Sequence, residues 1–181
     1  MKVYLKKLGL LFVLLMFIPL AGAYELEGFE NKTLLIASGT SANFSLPDEV
    51  VRLRFSSVKD GSAEARRHPF KGYVIILDYE DLKNASDTEL EGMFAHEFAH
   101  LETYSRMSWV GLAFYGMRYE FSKNFKKQVE RETDMIAIEN GFGNELGAFR
   151  EYRLLTGSDR DKKILQDYYL SIEEIKNLTA S

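Results

Sequence analysis

Apolar and polar residues alternate from Val50 to Val58, with Val51, Leu53 and Phe55 set against Arg52, Arg54 and Ser56. A period of two marks a half-buried strand. The next stretch, Asp60 to Gly72, is polar, carries Gly61, Pro69 and Gly72, and reads as a loop. Tyr73 to Tyr79 (Tyr-Val-Ile-Ile-Leu-Asp-Tyr) is strongly β-prone. Residues 24–49 show no clear period, with Thr33 to Ala37 the candidate for a short strand. The amino-terminal third therefore predicts a small sheet.

From residue 86 the period becomes helical. Ser86 and Glu89 form a capping box, and Leu90, Phe94, Phe98 and Leu101 follow as one apolar stripe. Met107 to Tyr119 is apolar and aromatic (Trp109, Val110, Leu112, Phe114, Tyr115, Met117) but too short to span a bilayer. It reads as a core or groove-wall segment, with a membrane-surface patch as the alternative. A further helix is expected from about Ser122 to Asn140 with Gly141 as its C-cap, and another from about Asn144 to Leu155, ended by Gly157. Ser158 or Asp159 opens a fifth. Ser171 with Glu174 caps a last short helix carrying Ile172, Ile175 and Leu178. The predicted class is α+β, a small amino-terminal sheet followed by a helical region, without internal repeats.

The amino terminus adds a compartment. Lys2, Lys6 and Lys7 precede the apolar run Leu8 to Leu20, and Ala21-Gly22-Ala23 is a small-residue cleavage site. Residues 1–23 thus read as a signal peptide, with an uncleaved membrane anchor as the alternative, and 24–181 as one domain outside the cytoplasm. Without the leader the balance is 20 basic against 27 acidic residues, a net charge of −7. That argues against a nucleic-acid partner, which needs a basic surface. No cysteine is present, so no disulfide framework supports the fold. Asn31, Asn43, Asn84 and Asn177 lie in glycosylation sequons.

The chemistry centres on His96-Glu97-Phe98-Ala99-His100. Residues four apart lie one above the other on a helix, so both imidazoles can reach one Zn²⁺. Glu97 stands one step round the helix, beside the metal, where it can take a proton from a metal-bound water. Catalytic zinc usually takes a third protein ligand. The only other histidine is His68, and a third histidine at the metzincin offset is missing, since Arg106 stands there. A carboxylate must serve. In Glu130-Arg-Glu-Thr-Asp134, Glu130 and Asp134 share a helix face, so one can bind the metal while the other accepts the ring N–H of a ligating histidine. Glu139 and Glu120 are fallback ligands, and Glu139 or Glu145 on the metal would overturn the choice of Glu130 but not the fold.

This pattern resembles the gluzincin metallopeptidases, and its wording is most similar to peptidase family M48 and the single-domain minigluzincins. The likeness covers roughly residues 73–140. It implies a zincin-like fold and one zinc per chain, held by His96, His100 and Glu130, with Glu97 as general base and Asp134 behind a ligating histidine. The implied reaction is hydrolysis of a peptide or protein substrate. The run Tyr73, Val74, Ile75, Ile76 and Leu77 would be the edge strand beside the cleft, to which substrate adds as another strand. Tyr168, Tyr169, His68, Tyr115 and Tyr119 are candidate oxyanion donors. Two other readings stay open: a zinc-binding but inactive secreted module, and an enzyme held latent by its amino-terminal residues.

Overall fold

The structure, a computed structural model, describes residues 3–5, 21–46, 51–59, 61–68 and 72–180. Of the span read as a leader, the apolar run Leu8 to Leu20 lies outside the described residues. Val3–Leu5 form strand β1 and Ala21–Ser41 form helix α1. Strands β2 (Val51–Phe55), β3 (Ala63–His68) and β4 (Gly72–Leu77) follow. Then come α2 (Tyr79–Leu82), α3 (Asp87–Ser105), α4 (Trp109–Phe121), α5 (Lys123–Glu139), α6 (Gly143–Thr156), α7 (Asp159–Tyr168) and α8 (Ile172–Thr179). The fold is α+β, a small sheet ahead of a helical region.

The sheet runs β1-β2-β4-β3. Strand β4 is parallel to β2 and antiparallel to β3. This corrects two expectations. The stretch 60–72 is not all loop, because Ala63–His68 form β3. Its sequence, Ala-Glu-Ala-Arg-Arg-His, lacks an apolar period because it lies at the sheet edge, where charges discourage further pairing. The run from Tyr73 to Leu77 is not an edge strand, since hydrogen-bonded neighbours occupy both its sides. Tyr73, Ile75, Ile76 and Leu77 are buried, and the near-continuous apolar run is what a strand covered on both faces requires.

Thr33 to Ala37, expected as a strand, lies inside α1. Phe29, Glu30, Thr33, Leu34, Ala37 and Thr40 are its buried positions, spaced for one helix face. That face packs on α3, and Phe29 sets its ring edge-on against Phe55 and Tyr79.

Helix α3 is the axis of the molecule. The capping box at Ser86 and Glu89 is formed, and every residue from Gly92 to Glu102 is buried. Such enclosure comes from α1 on one side, β3 on another, and α5 and α6 beyond. At Gly92 the α6 backbone comes so close that an added Cβ would sit 2.0 Å from the carbonyl oxygen of Glu145. Gly92→Ala must therefore push two buried helices apart. We expect a loss of about 3 kcal/mol, at the upper end of overpacking costs, read as a lower denaturant midpoint.

Helix α4 also departs from expectation. None of its residues is buried, so Met107 to Tyr119 is not a core segment. The later helices match their predicted starts, with Ser122, Ser158 and Ser171 each capping its helix and Gly141 adopting φ +92° after α5.

Candidate metal centre

His96 and His100 project from the middle of α3 and Glu130 from α5, the next helix packed against it. All three are buried, and one ligand atom from each lies within 4.8 Å of the others. The Nε2 atom of His96 is 3.2 Å and that of His100 3.4 Å from the same Glu130 oxygen, Oε2. Two donors each about 2.0–2.1 Å from a tetrahedral ion stand roughly 3.4 Å apart. The spacing thus fits a small tetrahedral cation. Glu130 Oε2 is buried with the two imidazole nitrogens facing it, so a metal ion could bind between the three.

The groups behind the ligands fix which atoms face inward. His96 donates its Nδ1–H to Asp134 Oδ1 at 2.8 Å. The Thr133 hydroxyl donates to the Val129 carbonyl at 2.9 Å and lies 3.3 Å from His100 Nδ1, so it can accept the ring N–H. With both Nδ1 atoms protonated, both Nε2 atoms face Glu130, and each can give a lone pair to a metal once it carries no proton. The other Glu130 oxygen accepts from the Tyr119 hydroxyl on α4. Asp134, wholly buried, also accepts two hydrogen bonds from Arg150 of α6, at 2.9 and 3.0 Å, and one from the Leu170 amide at 3.0 Å.

Electrostatics follow from this enclosure. Burial opposes charge on His96, but the hydrogen bonds and charges of Asp134 and Glu130 outweigh it and push the ring up to about 10. Burial likewise works against ionised Glu130, yet the two histidines hold its carboxyl well below the usual range. Metal and proton compete for the imidazole, so uptake should release a proton, and affinity should fall steadily as pH drops below that value. Calorimetric titration with Zn²⁺ in buffers of different ionisation enthalpy measures both effects.

Glu97 lines a cavity of about 50 Å³ together with His96, Arg150, Arg153, Ser62 and Tyr169. Its Oε2 has no partner, and burial raises its carboxyl above the ordinary value while His96 and His100 pull the other way. Tyr169 sets its ring 5.5 Å from that of His96, and burial keeps its hydroxyl protonated. Tyr168 stacks on Lys126 and His68 is exposed at the end of β3, and neither lines the cavity. Tyr115 is held between Tyr104 and Phe125, and Tyr119 is engaged by Glu130. Glu120 and Glu139 are exposed, and none of Glu120, Glu139 and Glu145 joins the cluster. Tyr73 to Leu77 belong to the core rather than to the cavity, whose strand-side lining is Gly61, Ser62 and Ala63.

Thr133, Arg150 and the Leu170 amide were not foreseen. Arg150 did leave a signal: Leu146, Arg150 and Arg153 fall at i, i+4 and i+7, so two arginines occupy an otherwise apolar face of α6. A backbone amide such as that of Leu170 leaves none.

Scanned against known protein families, curated proteins and solved structures, the chain matches none.

Proposed function

We propose that the chain is an exported zinc-dependent endopeptidase with a gluzincin-type, zincin-like domain similar to family M48. The observation that carries this reading is the tetrahedral spacing of His96, His100 and Glu130, with Glu97 lining the same cavity as His96 and its Oε2 buried without a partner. Asp134 corresponds to the orienting partner the resemblance implies. A purely structural metal site has no use for a neighbouring base.

A zinc ion held by these residues supplies Lewis acidity, polarising the scissile carbonyl and acidifying the attacking water. Glu97 takes the water's proton on Oε2 and delivers it to the leaving amine. Tyr169, protonated and over the site, donates to the oxyanion.

The test uses the full chain. Equilibrium dialysis should give one zinc per chain. Cleavage of an unfolded protein should stop with chelator and return with added zinc, at once or after limited proteolysis. A chain that holds one zinc yet leaves every unfolded substrate intact, before and after proteolysis, is a binding module.

A further inference from the structure

Helix α4 is apolar on two opposite faces. Leu112, Tyr115 and Tyr119, spaced i, i+3 and i+7, turn inward and are half-buried. Opposite them, Val110, Phe114, Met117 and Phe121 recur at i, i+4, i+7 and i+11 and are 68, 59, 50 and 87 % exposed. Trp109 in the first turn is 42 % exposed and stands at the flank of the stripe, about 100° round the helix from Val110. A helix apolar all round is ordinarily enclosed, and a continuous exposed stripe marks an interaction surface.

The charge around the stripe selects the partner. Between residues 106 and 127 stand Arg106, Arg118, Lys123, Lys126 and Lys127 against Glu120 alone, in a chain of formal net charge −4. Arg106 pairs with Glu102, so the basic excess lies mainly past the carboxy-terminal end of the stripe, at Lys123, Lys126 and Lys127. Arg67 adds another cation at the Trp109 end, its guanidinium 4.3 Å from the indole centre. Pairing this face with that of a second copy would bring these like charges together. An anionic lipid surface satisfies both the stripe and its flanks. Thirteen residues rise only about 20 Å, less than the roughly 30 Å of a hydrocarbon core. Among the described residues no helix is long and apolar enough to cross a membrane. We propose that α4 docks the protein onto an anionic bilayer, lying in the surface plane with Val110, Phe114, Met117 and Phe121 below the headgroups and Lys123 and Lys127 among them. This concerns where the protein sits and is independent of what the metal centre does.

Trp109 is the only tryptophan in the chain, so the proposed surface carries its own fluorophore. The full chain is mixed with vesicles of phosphatidylcholine alone or with phosphatidylglycerol, with and without brominated acyl chains. The expected result is a blue shift of Trp109 and quenching by bromine on the anionic vesicles. Phe114→Asp with Met117→Asp should abolish both. Lys123→Glu with Lys127→Glu should weaken vesicle binding about 10-fold or more, since each basic residue near the surface contributes about 1 kcal/mol. These side chains are exposed, and circular dichroism checks that each variant keeps its fold. Vesicle binding that leaves Trp109 emission unchanged would overturn the proposal, since another segment is then the anchor. Equal responses to neutral and anionic vesicles would overturn the lipid class. Self-association that already shields Trp109 and disappears in the aspartate variant would replace the bilayer with a second copy.

Discussion

Glu97→Gln should leave the zinc content at one per chain and lower peptide hydrolysis by about 10²–10⁴-fold, the contribution of a positioned general base. The amide matches the carboxylate in shape and cannot take a proton. Because Glu97 is not among the three ligands, metal affinity should barely change, and a fall in kcat with KM preserved is the expected split. Stability carries a second readout. Burial raises the Glu97 carboxyl in the metal-free protein, so the folded state binds this proton more readily than the unfolded one. Stability from this group is then lost as pH rises from the unfolded value through the raised one. The glutamine variant should lack that loss and, without metal, melt higher than wild type at neutral pH. A variant that loses zinc along with activity would mean that Glu97 is a ligand.

Asp134→Ala should be the most damaging single change to the fold around the site. It removes the acceptor for His96 Nδ1, for Arg150 and for the Leu170 amide in one step. Arg150, itself 3 % exposed, would be left as an uncompensated buried cation, at a cost of about 3–5 kcal/mol. Zinc affinity should fall about 10–100-fold as His96 loses the bond that fixes its tautomer. Combining the change with Arg150→Met tests the pairing. The double variant should be destabilised by less than the sum of the singles, with a coupling of about 1–3 kcal/mol, because the stranded charge is gone. Zinc affinity should not recover, since His96 still lacks its partner. Additive effects on stability would show that the ion pair is not the source of the loss.

What the amino-acid sequence revealed and what it hid have physical reasons. Helix starts were legible because capping is local: Ser86 with Glu89 and Ser171 with Glu174 satisfy their own amides within one turn. The residues of the candidate metal cluster were legible because helix spacing puts His96 with His100, and Glu130 with Asp134, on shared faces, while the choice of Glu130 over Asp134 came from the family resemblance. Strand β3 was hidden because an edge strand is selected for charge rather than apolar period. The strand expected at 33–37 was a local β preference overridden by a helix face that α3 buries. Helix α4 misled because its apolar residues imply burial only if something in the same chain covers them. Arg150 and Leu170 reach Asp134 across 16 and 36 residues, a separation that no local pattern encodes.

The bond from the Leu170 amide to Asp134 also sets a timetable. His96 leaves the ribosome first, Glu130 and Asp134 later, and Arg150 and Leu170 later still. Arg131 reaches further still, pairing with Glu174 at 2.6 Å and donating to the Tyr169 carbonyl at 3.3 Å. Until those last residues emerge, the buried carboxylate behind His96 has neither its cation nor its amide. At about 5–20 residues per second, several seconds separate synthesis of the first ligand from that of the residues completing its support. The nascent chain therefore emerges with the His96, His100 and Glu130 cluster still unsupported, and the cluster's completion coincides with the arrival of α6 and of the residues that follow α7.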